Sequence, residues 1–164
     1  MRKIPVLLFA LAVLPMALFA QLGIGGAAFY KSPVLLGQSI DLQNHNCDQF
    51  AFGGDLRYKL GAFQVEGLVL MAAGSVNSFV SFLDAGVALD VAIVRLSVGA
   101  GPNFIGNFNA SRPMQVGFNA KVGADLMLGN LSVGLSYLMA MNLDNGVDVN
   151  TRVGLLGAQV IFWL

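Results

Sequence analysis

Residues 50–71 read FAFGGDLRYKLGAFQVEGLVLM, and their alternation decides the fold. Up to Leu60 the even positions are Phe50, Phe52, Gly54, Leu56, Tyr58 and Leu60, against Ala51, Gly53, Asp55, Arg57 and Lys59 at the odd ones. After Gly61 the parity reverses: Phe63, Val65, Gly67, Val69 and Met71 are odd, against Ala62, Gln64, Glu66, Leu68 and Leu70. A period of two sends alternate side chains to opposite faces of a strand, whereas a helix groups apolar residues three and four apart. The stretch predicts two strands joined by a tight turn at Leu60-Gly61. One face is apolar and aromatic, and the other is mostly small, polar and charged. A two-residue turn at that point sets Lys59 opposite Ala62 and Arg57 opposite Gln64, with Glu66 diagonal to Arg57 and within side-chain reach.

The same pattern recurs along the chain. Strand 1 is expected over Gln21–Lys31, strand 4 over Phe79–Asp90 and strand 5 from Val94 to Gly101. Strand 6 runs from Met114 to Leu126, strand 7 from Leu131 to Met139 and strand 8 from Val147 to Trp163. In strand 8, Val149, Val153 and Leu155 alternate with Asn150, Arg152 and Gly154, and the last third is apolar on both faces. A short connection is expected at Gly74–Asn77, and tight turns near Val91-Ala92 and Gly129-Asn130. Longer polar connections cover 32–48 and Pro102–Pro113, since proline cannot donate to a strand ladder. The expectation is an all-β fold, an eight-stranded antiparallel up-and-down transmembrane β-barrel over residues 21–164.

Composition places this barrel. Residues 1–20 have the layout of a secretory signal peptide: Arg2 and Lys3, an apolar run from Ile4 to Leu14, and a cleavage site at Leu18-Phe19-Ala20. Beyond it, seven Lys/Arg face nine Asp/Glu, so there is no basic face for nucleic acid. The chain is 56% hydrophobic and 11% charged, yet no apolar run of the mature part approaches the roughly 18 residues of a membrane helix. Alternation in so hydrophobic a chain points to a membrane barrel, because only helices and closed barrels satisfy their backbone in lipid.

A soluble lipocalin-like ligand-binding barrel would show the same alternation with the apolar face inside. The second face argues against it. That face is largely Gly, Ala and Ser, whereas a solvated exterior carries charge at about a quarter to a third of positions. Tight turns after strands 2, 4 and 6 then belong to the periplasmic side, with both termini. Tyr30, Phe50, Phe79 and Phe104 fall near the outer ends, and Tyr58, Phe63 and Trp163 near the periplasmic ends, as interfacial girdles do.

The lumen parity carries Asp55, Arg57, Lys59, Glu66, Asp84, Asp90, Arg95, Lys121, Asp125 and Arg152. Charges inside a narrow barrel must pair, because desolvation costs several kcal/mol per ion. These residues are expected to form an ion-pair network that plugs the lumen. Other chemistry is poorly supplied. The single His45 and single Cys47 fall short of a metal set. The spacing of His45 with Ser39, Asp41 or Asp48 favours no catalytic arrangement. Asn109-Ala110-Ser111 matches a glycosylation sequon by chance. No enzyme activity, cofactor or metal is expected.

Over residues 21–164 the pattern resembles the small eight-stranded outer-membrane barrels, of the OmpA transmembrane-domain and OmpX type, with OmpW-like barrels as the nearest rival. The chain ends Val160-Ile161-Phe162-Trp163-Leu164, where those families carry an aromatic strand signal. The resemblance implies the outer membrane of a diderm bacterium, contact with its lipid, recognition by the barrel assembly machinery and a monomeric state. It implies no added peptidoglycan-binding half. It leaves two roles: a structural or surface-interaction protein that meets a ligand through loops 32–48 and 102–113, or a narrow channel or carrier for small solutes.

Overall fold

A computed structural model describes residues 20–31, 49–72, 75–108, 114–142 and 152–164. Residues 1–19, the connection 32–48 with His45 and Cys47, the Asn109 sequon and the loop after Asn142 lie outside the described residues. The elements are β1 (Ala20–Lys31), β2 (Phe50–Leu60), β3 (Phe63–Ala72), β4 (Ser75–Val91), β5 (Val94–Asn107), β6 (Gln115–Leu128), β7 (Leu131–Asn142) and β8 (Arg152–Trp163). Each pairs antiparallel with its neighbour, and β8 returns to β1 to close an eight-stranded barrel in chain order. The seam runs from Gly23 opposite Trp163 to Lys31 opposite Leu155. Closure removes both sheet edges, which would otherwise expose rows of unpaired N–H and C=O groups.

Period-two alternation turns one parity of each strand outward. Ile24, Leu56, Phe63, Leu89, Val98, Val122 and Leu135 are all exposed, Phe63 at 64%. Asp55, Arg57, Glu66, Asp84, Arg95, Lys121 and Asp125 are buried. A lipocalin-like arrangement is the reverse of this. The inner face also holds a cluster that the alternation of small and polar residues does not announce. Phe29, Leu68, Leu70, Phe82, Leu138 and Ala27 pack together inside the barrel. It lies further from the tight turns than Arg57 and Glu66, since Leu68 stands opposite Asp55 and Leu70 opposite Gly53.

Three short turns share one end of the barrel with Ala20 and Leu164. Each has positive φ at its first position: Gly61 (60°), Ala92 (55°) and Gly129 (68°). Two-residue hairpin loops take such turns because their twist matches that of the flanking strands. The turn after β2 is Gly61-Ala62, not Leu60-Gly61, because Leu60 still pairs with Phe63. Arg57 therefore stands directly opposite Glu66, and Lys59 opposite Gln64. The turn after β4 moves likewise to Ala92-Ile93, so that Asp90 faces Arg95. Positive φ is the reason: Gly61 takes the first turn position, where glycine pays no Cβ penalty.

At the other end, the expected connection at Gly74–Asn77 shortens, because β4 begins at Ser75. The loop expected from Pro102 starts later, because β5 continues to Asn107. Pro102 stays in the strand opposite Phe118 of β6, while the β4–β5 register passes directly from Ala85–Ala100 to Phe82–Asn103. The missing donor falls on the side where that ladder is interrupted.

Strand β8 also corrects the expected parity. Leu155 packs against the inner cluster, and Gly157, Gln159, Ile161 and Trp163 continue that inward set. The backbone of Arg152 pairs with Met141, and its side chain lies outside the described residues.

Ala92 is the one non-glycine residue with positive φ among the described residues. A left-handed backbone costs a residue bearing a Cβ about 1 kcal/mol or more. Ala92→Gly is expected to stabilise the folded barrel by about 1 kcal/mol. Urea unfolding in detergent micelles measures it, and a lower midpoint would contradict the strain.

Candidate functional site

Inward parity on five strands, β2 to β6, gathers the charged residues into two layers. Arg57 of β2 is the centre of the deeper one and only 1% exposed. Its Nε and Nη2 donate to Asp55 Oδ2 at 3.1 and 2.9 Å, and its Nη1 donates to Asp125 Oδ2 at 2.8 Å. Nη2 also donates to Gln159, and Glu66 Oε2 lies 3.6 Å from Nε. Strands β2 and β6 are four apart in an eight-strand ring, so the Arg57–Asp125 pair crosses the bore. A planar guanidinium presents five donors, which suits several acceptors at once better than a single ammonium does. Gly134 makes room for this pair, since a Cβ there would sit on the Asp125 carboxylate.

Lys121 of β6 reaches across to Glu66 of β3, and Asp84 of β4 accepts from Asn119. Lys121 also lies 5.9 Å from the centre of the Phe29 ring, where the ionic layer meets the apolar cluster. Four buried carboxylates, Asp55, Glu66, Asp84 and Asp125, thus share two buried cations, Arg57 and Lys121.

The second layer lies at the mouth beside the tight turns. Asp90 has 43% of its side chain exposed, accepts from Lys59 at 2.8 Å and takes Arg95 Nε at 2.6 Å. Arg95 also donates to Gln21 Oε1 at 2.9 Å and lies 4.3 Å over the Trp163 ring. Trp163 was expected in the outward girdle. Instead it is 4% exposed inside the barrel, and its Nε1 donates to Ser132 at 2.9 Å. The reason lies in the seam: Gly23, its partner on β1, leaves the space that the indole occupies. The outward aromatic at this position is Phe162, 47% exposed. Tyr58 and Phe63 do face outward at this end, and Tyr30 and Phe50 meet at 5.2 Å at the other.

Nine of the ten predicted charges therefore meet in the lumen or at its mouth. Arg152 is the tenth, and its side chain lies outside the described residues. Sequence reasoning missed the neutral members: Gln159, Gln21, Asn119 and Ser132. Asn119 had the right parity and only lacked charge. Gln159 fell in the stretch of β8 where both faces looked apolar.

No protein-family model matches the chain, and no curated protein matches it. Solved structures match it by shape. The N-terminal β-barrel domain of Pseudomonas aeruginosa OprF superposes with a TM-score of 0.65 at 14% identity, covering 88% of this chain and 97% of that one. Ail, the attachment invasion locus protein of Yersinia pestis, gives 0.54 at 15% identity, with 88% and 97% covered. The chain has the fold of these eight-stranded outer-membrane barrels, and the likeness is one of fold.

Removing a cation from a buried cluster leaves its carboxylates unpaired and costs about 3–5 kcal/mol. Arg57→Met is expected to lose that much. Lys59→Met is expected to lose at most about 1 kcal/mol, because its partner Asp90 remains half in solvent beside Arg95. Urea titrations of the two variants in micelles compare them, and equal losses would erase the distinction between the layers.

Proposed function

We propose that this is an integral protein of the outer membrane of a diderm bacterium, with a structural or surface-interaction role. The observation that carries this reading is the inverted polarity of the barrel. A wall of exposed Leu, Val, Ile and Phe surrounds a lumen of buried carboxylates and cations. In water the exposed wall would be a large aggregation-prone patch. In lipid it is the stable outside, and the closed ladder satisfies the backbone there. The tight-turn end, with Ala20 and Leu164, faces the periplasm, and the connections 32–48 and 108–114 face outward. The signal layout of residues 1–20 and the assembly machinery supply the route.

Within this reading the lumen is a plug. The ionic layer spans the bore at Arg57, and the Phe29–Leu138 cluster fills it above. Eight strands leave an interior just wide enough for side chains to fill. Mixed signs at a constriction oppose ions of either charge, and an apolar layer beside them disfavours water. The barrel then works through its outward connections, as a monomeric platform in lipid. One of the barrels it resembles is named for attachment and invasion, which supports surface interaction as the role to test.

Two measurements test the reading. The mature protein is expected to sediment with outer membranes and to show a heat-dependent gel shift. Recovery in the aqueous periplasmic fraction without that shift would overturn the membrane placement. In planar bilayers the purified barrel is expected to give no reproducible single-channel steps. Steady steps altered by Arg95→Ala would replace the plug with a narrow channel.

A further inference from the structure

The buried charges around Glu66 do not balance. Inward positions Gly86, Ser97 and Gly99 on β4 and β5 carry little or no side chain. They leave a cavity of about 10 Å³, room for one water-sized particle, bounded also by Gln64, Glu66, Asp84 and Lys121. Two of the residues that line it each carry an oxygen without a partner. Gln64 Oε1 and Asp84 Oδ2 are buried and accept no hydrogen bond, in residues only 7% and 4% exposed. The other Asp84 oxygen takes Asn119, and Lys121 is held by Glu66. Around the cavity two carboxylates face one ammonium, so one negative charge is left over.

We propose that this cavity binds one alkali-metal cation, of sodium or potassium class, through Asp84, Gln64 and Glu66. A carboxylate oxygen buried without a donor is costly, and a hard cation is the partner that takes oxygen ligands alone. One positive charge balances the three charges that line the cavity, Glu66, Asp84 and Lys121. For a divalent ion, no group of three or more His, Cys, Asp or Glu among the described residues stands together to hold one. An anion would meet two carboxylates. The ion is a fifth member of the Glu66, Asp84, Lys121 and Asn119 cluster and ties β3 to β4. This proposal stands apart from the surface role, because a plugged barrel and a channel could each hold the ion.

The test is the stability of the folded barrel in nonionic micelles, followed by gel shift and circular dichroism. NaCl, KCl and choline chloride are compared at equal ionic strength. Above half-saturation the folding equilibrium constant is expected to rise about tenfold for each tenfold rise in the alkali cation. Choline gives no such rise. Asp84→Asn removes the charge, and Gly99→Ala fills the cavity with a methyl that meets Asp84 Cβ at an ordinary 3.5 Å. Both variants are expected to lose the rise, while the turn variant Ala92→Gly keeps it. Equal stability in alkali and choline salts overturns the proposal. So does a cation dependence that survives in both cavity variants. A stability that follows pH but not the identity of the cation assigns the missing charge to a proton, and overturns it as well.

Discussion

Every backbone N–H and C=O in a sheet must find a partner, and the two edge strands of an open sheet cannot provide them. Here the β1–β8 seam removes the edges, from Gly23–Trp163 to Lys31–Leu155. Much else depends on that seam. Closure divides the side chains into a wall and a lumen, so alternation along each strand becomes inside and outside. It also brings β2 face to face with β6, which no hairpin could do. The Arg57–Asp125 pair exists only because the ring is shut.

Closure then sets the chemistry of the lumen. Eight strands admit side chains and little else. Charges confined there lose water and must recover the loss from one another. Arg57 serves Asp55, Asp125 and Gln159 together, with Glu66 close by. Above it the Phe29, Leu68, Leu70, Phe82 and Leu138 cluster needs no partners at all. At the mouth, Asp90 keeps contact with solvent while joining Lys59 and Arg95. The polarity of the barrel is therefore graded along its axis as well as inverted across its wall.

Several features lay beyond a strand-by-strand reading. Alternation located the turn after β2 to within one residue. That residue decides whether Glu66 lies diagonal to Arg57 or directly opposite it. Positive φ at Gly61 settled the matter, and φ is not written in a hydrophobic pattern. Pro102 looked like the start of a loop, but a strand tolerates a proline where its neighbour's ladder is interrupted. In β8, Leu155 and Ile161 face inward and Phe162 outward. Polarity could not tell the faces apart there. Trp163 was read as an interfacial aromatic because aromatics near strand ends usually are. A glycine across the seam let it turn inward.

The sequence by itself determined the eight strands, their parity through most of the chain, the up-and-down order and the charge-bearing face. These are local properties: a period of two, turn residues and the absence of long apolar runs can all be read within a few residues. The partners of those charges were decided by the tertiary structure alone. Glu66 with Lys121, Asp84 with Asn119 and Arg57 with Asp125 and Gln159 join strands that are remote in the chain. Which residues meet across a bore depends on the register summed around the whole ring, and each turn can shift that sum by one. The hairpin at 50–71 carried the alternation, and only the closed barrel gave its charges their partners.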